Sequence, residues 1–208
     1  RQNIRATGNQ SYGYMGGGGP GGPTVSTIDR IDYSSDTGTA AVKGPLSIVR
    51  YSSAATGNLS YGYWGGGAPG TLSSVDRVDY SNDTPTAVAK GPLSQARKSF
   101  TATGTTSYGY FIGGWSSTVK STIDRVDYSN DTATAVAKGP LSATNYWGAA
   151  TGNASYGYYG GGYSPTKSIV ERIDYSNDTA TAGSGKGPLS SARYSLSATG
   201  NTSYGWWA

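Results

Sequence analysis

Cysteine and histidine are both missing from this 208-residue chain, and only 13% of it is charged. Without cysteine there is no disulfide and no thiol nucleophile. Without histidine there is no imidazole base, and zinc sites of the usual kind lose both favoured ligands. No run of about 18 apolar residues occurs, so no membrane-crossing helix and no membrane insertion are expected. The net charge of +4 is small and its Lys and Arg residues are evenly spaced, which argues against a nucleic-acid partner. No window carries a 3.6-residue period, so helix is not expected either.

What the chain has is glycine, 33 residues, and tyrosine, 18, among many serines and threonines. Such a composition would suit disorder, but Ile, Val, Tyr and Trp return at regular positions. Ala-Thr-Gly begins at Ala6, Ala55, Ala102, Ala150 and Ala198, at spacings of 49, 47, 48 and 48. Ser-Tyr-Gly-Tyr begins at Ser11, Ser60, Ser107 and Ser155, with Ser-Tyr-Gly-Trp at Ser203. Asp-Arg-Ile-Asp-Tyr runs from Asp29 and recurs as Asp-Arg-Val-Asp-Tyr from Asp76 and Asp124 and as Glu-Arg-Ile-Asp-Tyr from Glu171. Lys-Gly-Pro-Leu-Ser begins at Lys43, Lys90, Lys138 and Lys186. The chain is therefore one repeat domain, 1–208, made of repeats 1–49, 50–96, 97–144 and 145–192 and a partial repeat 193–208. It begins at a repeat boundary without an initiator methionine or signal peptide and ends within a motif, which suggests a processed product or a piece of something longer.

Each repeat predicts four short strands: the stretch up to Ala-Thr-Gly, Ser-Tyr-Gly-Tyr plus one apolar residue, Asp-Arg-Ile-Asp-Tyr, and Thr-Ala-Val-Ala-Lys. Thr-Gly-Asn, Ser-Asn-Asp-Thr, Gly-Gly-Gly and Gly-Pro separate them as turns. Four-stranded units of this length describe the blades of an all-β propeller of four or five blades. The 18 predicted strands leave a half-blade over, to be completed by a neighbouring chain; a linear stack of β-hairpins is the alternative. The order Tyr-Gly-Tyr, Gly-Gly, variable loop, Val-Asp-Arg-Val-Asp-Tyr, strand, Gly-Pro-Leu-Ser resembles the kelch repeat, although Ala-Val-Ala stands where kelch carries a tryptophan. The wording is also similar to kelch-like repeats of marine phage structural proteins. These resemblances imply a propeller and a structural or interaction role, extracellular or on a virion surface.

Side chains alternate along a strand, so Tyr12 and Tyr14 share one face and Gly13 the other. A sugar-stacking platform and an inter-blade core both fit; recurrence in every copy favours core. In the third strand Arg30 and Asp32 share a face, as do Arg77 and Asp79, Arg125 and Asp127, and Arg172 and Asp174, which suggests structural ion pairs. Asp29, Asp32 and Asp36 are spaced too loosely for a calcium loop, so no metal and no cofactor is expected. Paired carboxylates would suit a glycoside hydrolase, but every acid recurs in every repeat, Glu171 being the one change. An active site normally breaks such symmetry, and no catalytic residue is assigned. Gly-Gly-Gly lacks the Lys-Ser/Thr and the helix of a phosphate loop and reads as a turn.

Length varies almost only in the loop between strands 2 and 3 (16–27, 65–74, 113–122 and 160–169), with one further insertion near Gly183. Variable loops on a constant scaffold are where binding concentrates, which singles out Trp115, Lys120, Tyr163 and Lys167. A meander places Lys43, Lys90, Lys138 and Lys186 at that end, and Asp36, Asp83, Asp131 and Asp178 at the other. Oppositely charged ends suggest head-to-tail stacking of copies. Asn-x-Ser/Thr occurs at Asn9, Asn58, Asn82, Asn130, Asn153, Asn177 and Asn201; these are candidate glycosylation sites, or simply turn residues. The expected function is a non-enzymatic structural or interaction propeller with protein or self-association partners. A glycan-binding lectin is the alternative, and a hydrolase comes last.

Overall fold

The computed structural model describes residues 1–19 and 21–208; Pro20, in the first variable loop, lies outside the described residues. Each repeat folds as an antiparallel meander, and the fold is all-β, of the β-propeller type expected from the sequence. In the first repeat β1 (Arg5–Gly8), β2 (Tyr12–Gly16), β3 (Ile28–Asp32) and β4 (Ala41–Lys43) lie side by side in chain order. In the second, β5 (Ala54–Gly57), β6 (Tyr61–Gly67), β7 (Leu72–Asp79) and β8 (Val88–Lys90) repeat this, as do β9 (Thr101–Gly104), β10 (Tyr108–Ile112), β11 (Ile123–Asp127) and β12 (Val136–Lys138) in the third. The fourth has β13 (Ala149–Gly152), β14 (Tyr156–Gly160) and β15 (Val170–Asp174). Its expected fourth strand is reduced to a single bridge between Arg172 and Gly183, because the extra residue in Gly183-Ser184-Gly185 breaks the ladder. The partial repeat gives β16 (Ala198–Gly200) and β17 (Gly205–Trp207). Among the described residues, seventeen strands and this bridge thus stand where 18 strands were expected.

The turns form for local reasons. Asn9 accepts from the backbone N–H groups of Ser11 and Tyr12, each at 2.9 Å, and Asn153 and Asn201 do the same after their own strands. These side chains imitate a backbone turn, which is why Asn recurs there. The amide nitrogens of Asn9 and Asn153 donate to Leu59 O and Thr202 O. Register follows the sequence pattern: Tyr12 lies opposite Asp32 and Tyr14 opposite Arg30, so both tyrosines, Arg30 and Asp32 occupy one face.

Where the sequence reads as one repeat domain, its contacts group into two compact units. The first is 1–98 with the turn 130–134, and the second is 99–129 with 135–208. In the first unit Tyr14, Ile28, Leu46, Trp64, Val78 and Tyr80 form the core, so the tyrosine pattern serves packing. Trp64 reaches from the second sheet to the first, donates to Arg5 O at 3.1 Å, and fills the space where a Cβ on Gly16 would stand. In the second unit the core comprises Tyr110, Ile112, Ile123, Leu141, Tyr159 and Ile173. There Trp207 donates to Ala149 O at 3.1 Å and takes the matching place beside Gly160.

Three third-strand arginines, Arg30, Arg77 and Arg125, are paired, but not with the acids on their own strand, and Arg172 forms no ion pair with Asp174. Arg30 meets Asp83 at 2.7 Å, and the same carboxylate accepts from Tyr14 Oη at 2.9 Å and pairs with Lys43 at 3.1 Å. Asp131 receives Tyr63, Arg77 and Lys90 in the same way, and Asp178 receives Tyr110, Arg125 and Lys138. Asp32, Asp79, Asp127 and Asp174 instead accept from the backbone and hydroxyl of the serine two residues on. The reason is reach: a carboxylate at the strand end is captured by its own turn, whereas the turn aspartate of the following repeat projects into the preceding sheet. This also corrects the expectation of oppositely charged ends, because Lys43, Lys90 and Lys138 are each neutralised by the turn aspartate of the next repeat. Burial alone would raise the Asp83 carboxyl, but the hydrogen bonds from Tyr14 and Lys43 and the charges of Arg30 and Lys43 outweigh it and hold it below its ordinary value. No helix of the described residues is long and apolar enough to cross a membrane.

Candidate functional site

Near-identical repeats make departures from the repeat informative, and the fourth repeat departs at several neighbouring positions. Its lead-in reads Asn145-Tyr146-Trp147-Gly148, where the second repeat has Arg50-Tyr51-Ser52-Ser53. Ser52, Ser99 and Ser195 hold φ values of 50°, 59° and 58°, a left-handed conformation that small residues tolerate. Trp147 holds the same conformation, with φ 58°. Its neighbours pin it there: Trp147 N donates to Ser99 O at 2.9 Å and Ser195 N donates to Trp147 O at 2.8 Å. The indole is directed outward and is 37% exposed.

Three tyrosines surround it. Trp147 stacks on Tyr194 with centroids 5.8 Å apart and planes 21° apart. Tyr163, from the variable loop, lies edge-on to Tyr194 at 5.1 Å and to Tyr146 at 5.6 Å. Tyr163 and Tyr194 are 40% and 47% exposed, so this is an aromatic surface and not core. Backbone bonds from Tyr163 N to Tyr146 O and from Lys167 N to Gly162 O fix the loop, and Lys167 Nζ donates to Thr144 O at 3.0 Å.

Beneath the cluster the substitutions continue. In the second repeat Arg50 is wholly buried, donates to Gly66 O at 2.9 Å and Ser74 O at 3.0 Å, and pairs with Asp76 at 3.1 Å. In the fourth, Asn145 replaces that arginine and donates to Gly161 O at 2.9 Å, while its Oδ1 is buried without a partner. The matching acid, Glu171, accepts from the backbone and hydroxyl of Ser142. Glu171 lies opposite Tyr159 across β14 and β15, and the Tyr159 phenol accepts from Gly148 N at 3.2 Å. Burial, with the Glu171 charge adding to it, pushes that phenol well above its ordinary value against the Gly148 bond. Gly148 carries no side chain because the end of the Tyr159 ring fills its Cβ space.

Of the residues singled out from sequence, Tyr163 joins the cluster and Lys167 anchors its loop. Trp115 is half-buried at a bridge to Val119, and Lys120 is tied through its backbone to Gly114 O and Asn145 N. Sequence reasoning missed Tyr146, Trp147 and Tyr194. The available signal was a tryptophan at the position where the other repeats carry Asn3, Ser52, Ser99 and Ser195. Asp29 pairs with Arg1, Asp32 holds Ser34, and Asp36 is exposed, so the three do not converge. No group of three His, Cys, Asp or Glu side chains placed to hold a metal occurs among the described residues. The arrangement offers flat aromatic faces on a fixed backbone, suited to stacking an apolar side chain or the C–H face of a sugar. The sequence matches no family model and no curated protein.

Proposed function

We propose that this chain is a non-enzymatic interaction module, a kelch-like assembly component of an extracellular or virion surface, and that the aromatic cluster of the fourth repeat is its contact face. One observation carries the reading: Trp147 occupies a left-handed backbone position that the other repeats give to asparagine or serine. A bulky residue there costs about 1–3 kcal/mol, and strain of that kind is kept where a site needs it. The partner is a protein surface that inserts a side chain among Trp147, Tyr163 and Tyr194. A glycan is the second reading, favoured by the near-parallel, exposed faces of Trp147 and Tyr194.

The test is paired. The chain and its Trp147→Asn variant are used to probe a glycan array and, as immobilised bait, a surface-protein library. Retained protein partners lost on Trp147→Asn support the main reading, and glycan signals lost on the same change support the second. Equal retention by both chains removes the cluster from the function.

A further inference from the structure

Where the second strand of a repeat ends and the third begins, the first three repeats place an arginine against an acid, and the fourth does not. In the first, Arg1 donates to Gly17 O at 3.2 Å and to Thr27 O at 2.9 Å, and pairs with Asp29. In the second, Arg50 donates to the matching carbonyls, Trp64 O at 3.3 Å, Gly66 O and Ser74 O, and pairs with Asp76. Arg97 and Asp124 hold the same positions in the third repeat, and both are wholly buried.

The fourth repeat keeps the acceptors and loses the arginine. Its carbonyls at the same positions belong to Tyr159, Gly161 and Ile169, and its acid is Glu171, 2% exposed. Asn145 is too short to span them. Its amide nitrogen reaches Gly161 O, and its Oδ1 is buried against Gly162 without a partner, in a side chain 1% exposed. Serine does not make up the difference. In the second repeat Ser47 N and Oγ bind Asp76 at 2.9 and 2.6 Å, one on each carboxylate oxygen, and Arg50 adds its charge to both. In the fourth, Ser142 supplies the same two bonds, both to Oε1 of Glu171. Among the described residues no cationic side chain pairs with Glu171 and nothing donates to its Oε2. The Tyr159 phenol is engaged by Gly148 N instead. A buried carboxylate without a counter-charge is strongly destabilising, so this acid calls for a cation that the chain does not supply.

We propose that Glu171 Oε2 and Asn145 Oδ1, with the carbonyls of Tyr159 and Ile169, bind one small monovalent cation, Na⁺ or K⁺, where the other repeats seat a guanidinium. Donors that are all oxygen select a hard cation. A single carboxylate balances a single charge, whereas calcium sites draw on several. The two carbonyls suit the task because their counterparts, Trp64 O and Ser74 O, already face the positive charge of Arg50. The site is separate from the contact face proposed above and does not rest on it.

The probe is the ion alone. Thermal unfolding of the full chain is compared in choline chloride, NaCl and KCl at equal ionic strength, which removes general screening from the comparison. An ion at ten times its dissociation constant favours the folded chain about ten-fold, a rise of roughly 3–5 °C for a chain of this size. Sodium NMR line broadening, reversed by K⁺, reads the binding directly. Glu171→Gln is expected to abolish both the broadening and the difference between salts, while Asp36→Asn, at an exposed acid, leaves them intact. The double variant Asn145→Arg/Glu171→Asp rebuilds the pair of the second repeat and is expected to melt at one temperature in all three salts. Should that variant not fold, the wild-type and Glu171→Gln comparison decides alone. Equal melting of the wild type in the three salts, with no sodium broadening, overturns the proposal. A salt difference that survives Glu171→Gln places the ion elsewhere and overturns it as well. A response to Ca²⁺ without one to Na⁺ or K⁺ overturns the monovalent assignment.

Discussion

Replacing Asp83 by asparagine keeps an oxygen for Tyr14 and removes the charge that Arg30 and Lys43 face. Two unit charges about 3 Å apart attract by roughly 5 kcal/mol at an effective dielectric near 20, and most of that offsets desolvation. Breaking a fully buried pair costs about 3–5 kcal/mol, because the partner is left uncompensated. Asp83 is 6% exposed, but Arg30 and Lys43 retain 22% and 15%, so water recovers part of the loss. The expected cost is about 2–3 kcal/mol, or a fall of roughly 5–10 °C in a chain of this size. The internal control is Asp36→Asn, the same turn position in the first repeat, which is exposed and should change stability by less than about 0.5 kcal/mol. Urea unfolding at pH 7 with an unchanged slope is the assay. The pH dependence sharpens it. The folded carboxyl lies below its ordinary value, so its contribution is present above the unfolded value of about 4 and is lost as pH falls through the folded one. The gap between wild type and Asp83→Asn should therefore close in acid. Equal stability of the two chains at pH 7 would refute the claim that this socket holds consecutive repeats together.

Alkali should act through the phenols. Burial raises Tyr14, Tyr63 and Tyr110, with the turn aspartates adding to it, and Tyr80 is pushed to about 12 by burial. A raised folded value means that stability is intact below the unfolded value near 10. It then falls as pH rises, by up to about 1.4 kcal/mol per unit for each tyrosine, which circular dichroism from pH 9 to 12 would follow. Trp147→Asn exchanges backbone strain for lost ring contacts, so its unfolding free energy should stay within about 1 kcal/mol of wild type while binding is lost. A loss of several kcal/mol would make Trp147 a structural residue. Gly160→Leu should dislodge the Trp207 indole that fills its Cβ space. Trypsin cleavage after Arg193 should then quicken several-fold, with the rest of the chain unaffected. Cleavage at the wild-type rate would show that the partial repeat is held by something other than Trp207.

The repeat by itself determined much of this protein. A period near 48, Tyr-Gly-Tyr and Asp-Arg-Ile-Asp-Tyr in alternating register, and Asn-x-Ser turns fix four-stranded meanders, because strand alternation and Asx turns are local physics. The faces of Tyr12, Tyr14, Arg30 and Asp32 follow from the same period of two. Partner choice does not. Arg30 has an acid two residues away on its own face and another 53 residues away, and only tertiary packing decides that Asp83 wins, since Asp32 is already held by Ser34. Length variation pointed to the loop that carries Tyr163, but Trp147 looked like one more aromatic in an aromatic-rich chain. Its meaning lies in a backbone conformation set by the ladder of neighbouring repeats, which no single repeat contains. That Tyr14, Arg30 and Lys43, Tyr63, Arg77 and Lys90, and Tyr110, Arg125 and Lys138 are each completed by an aspartate of the repeat that follows is likewise visible only in the spatial arrangement.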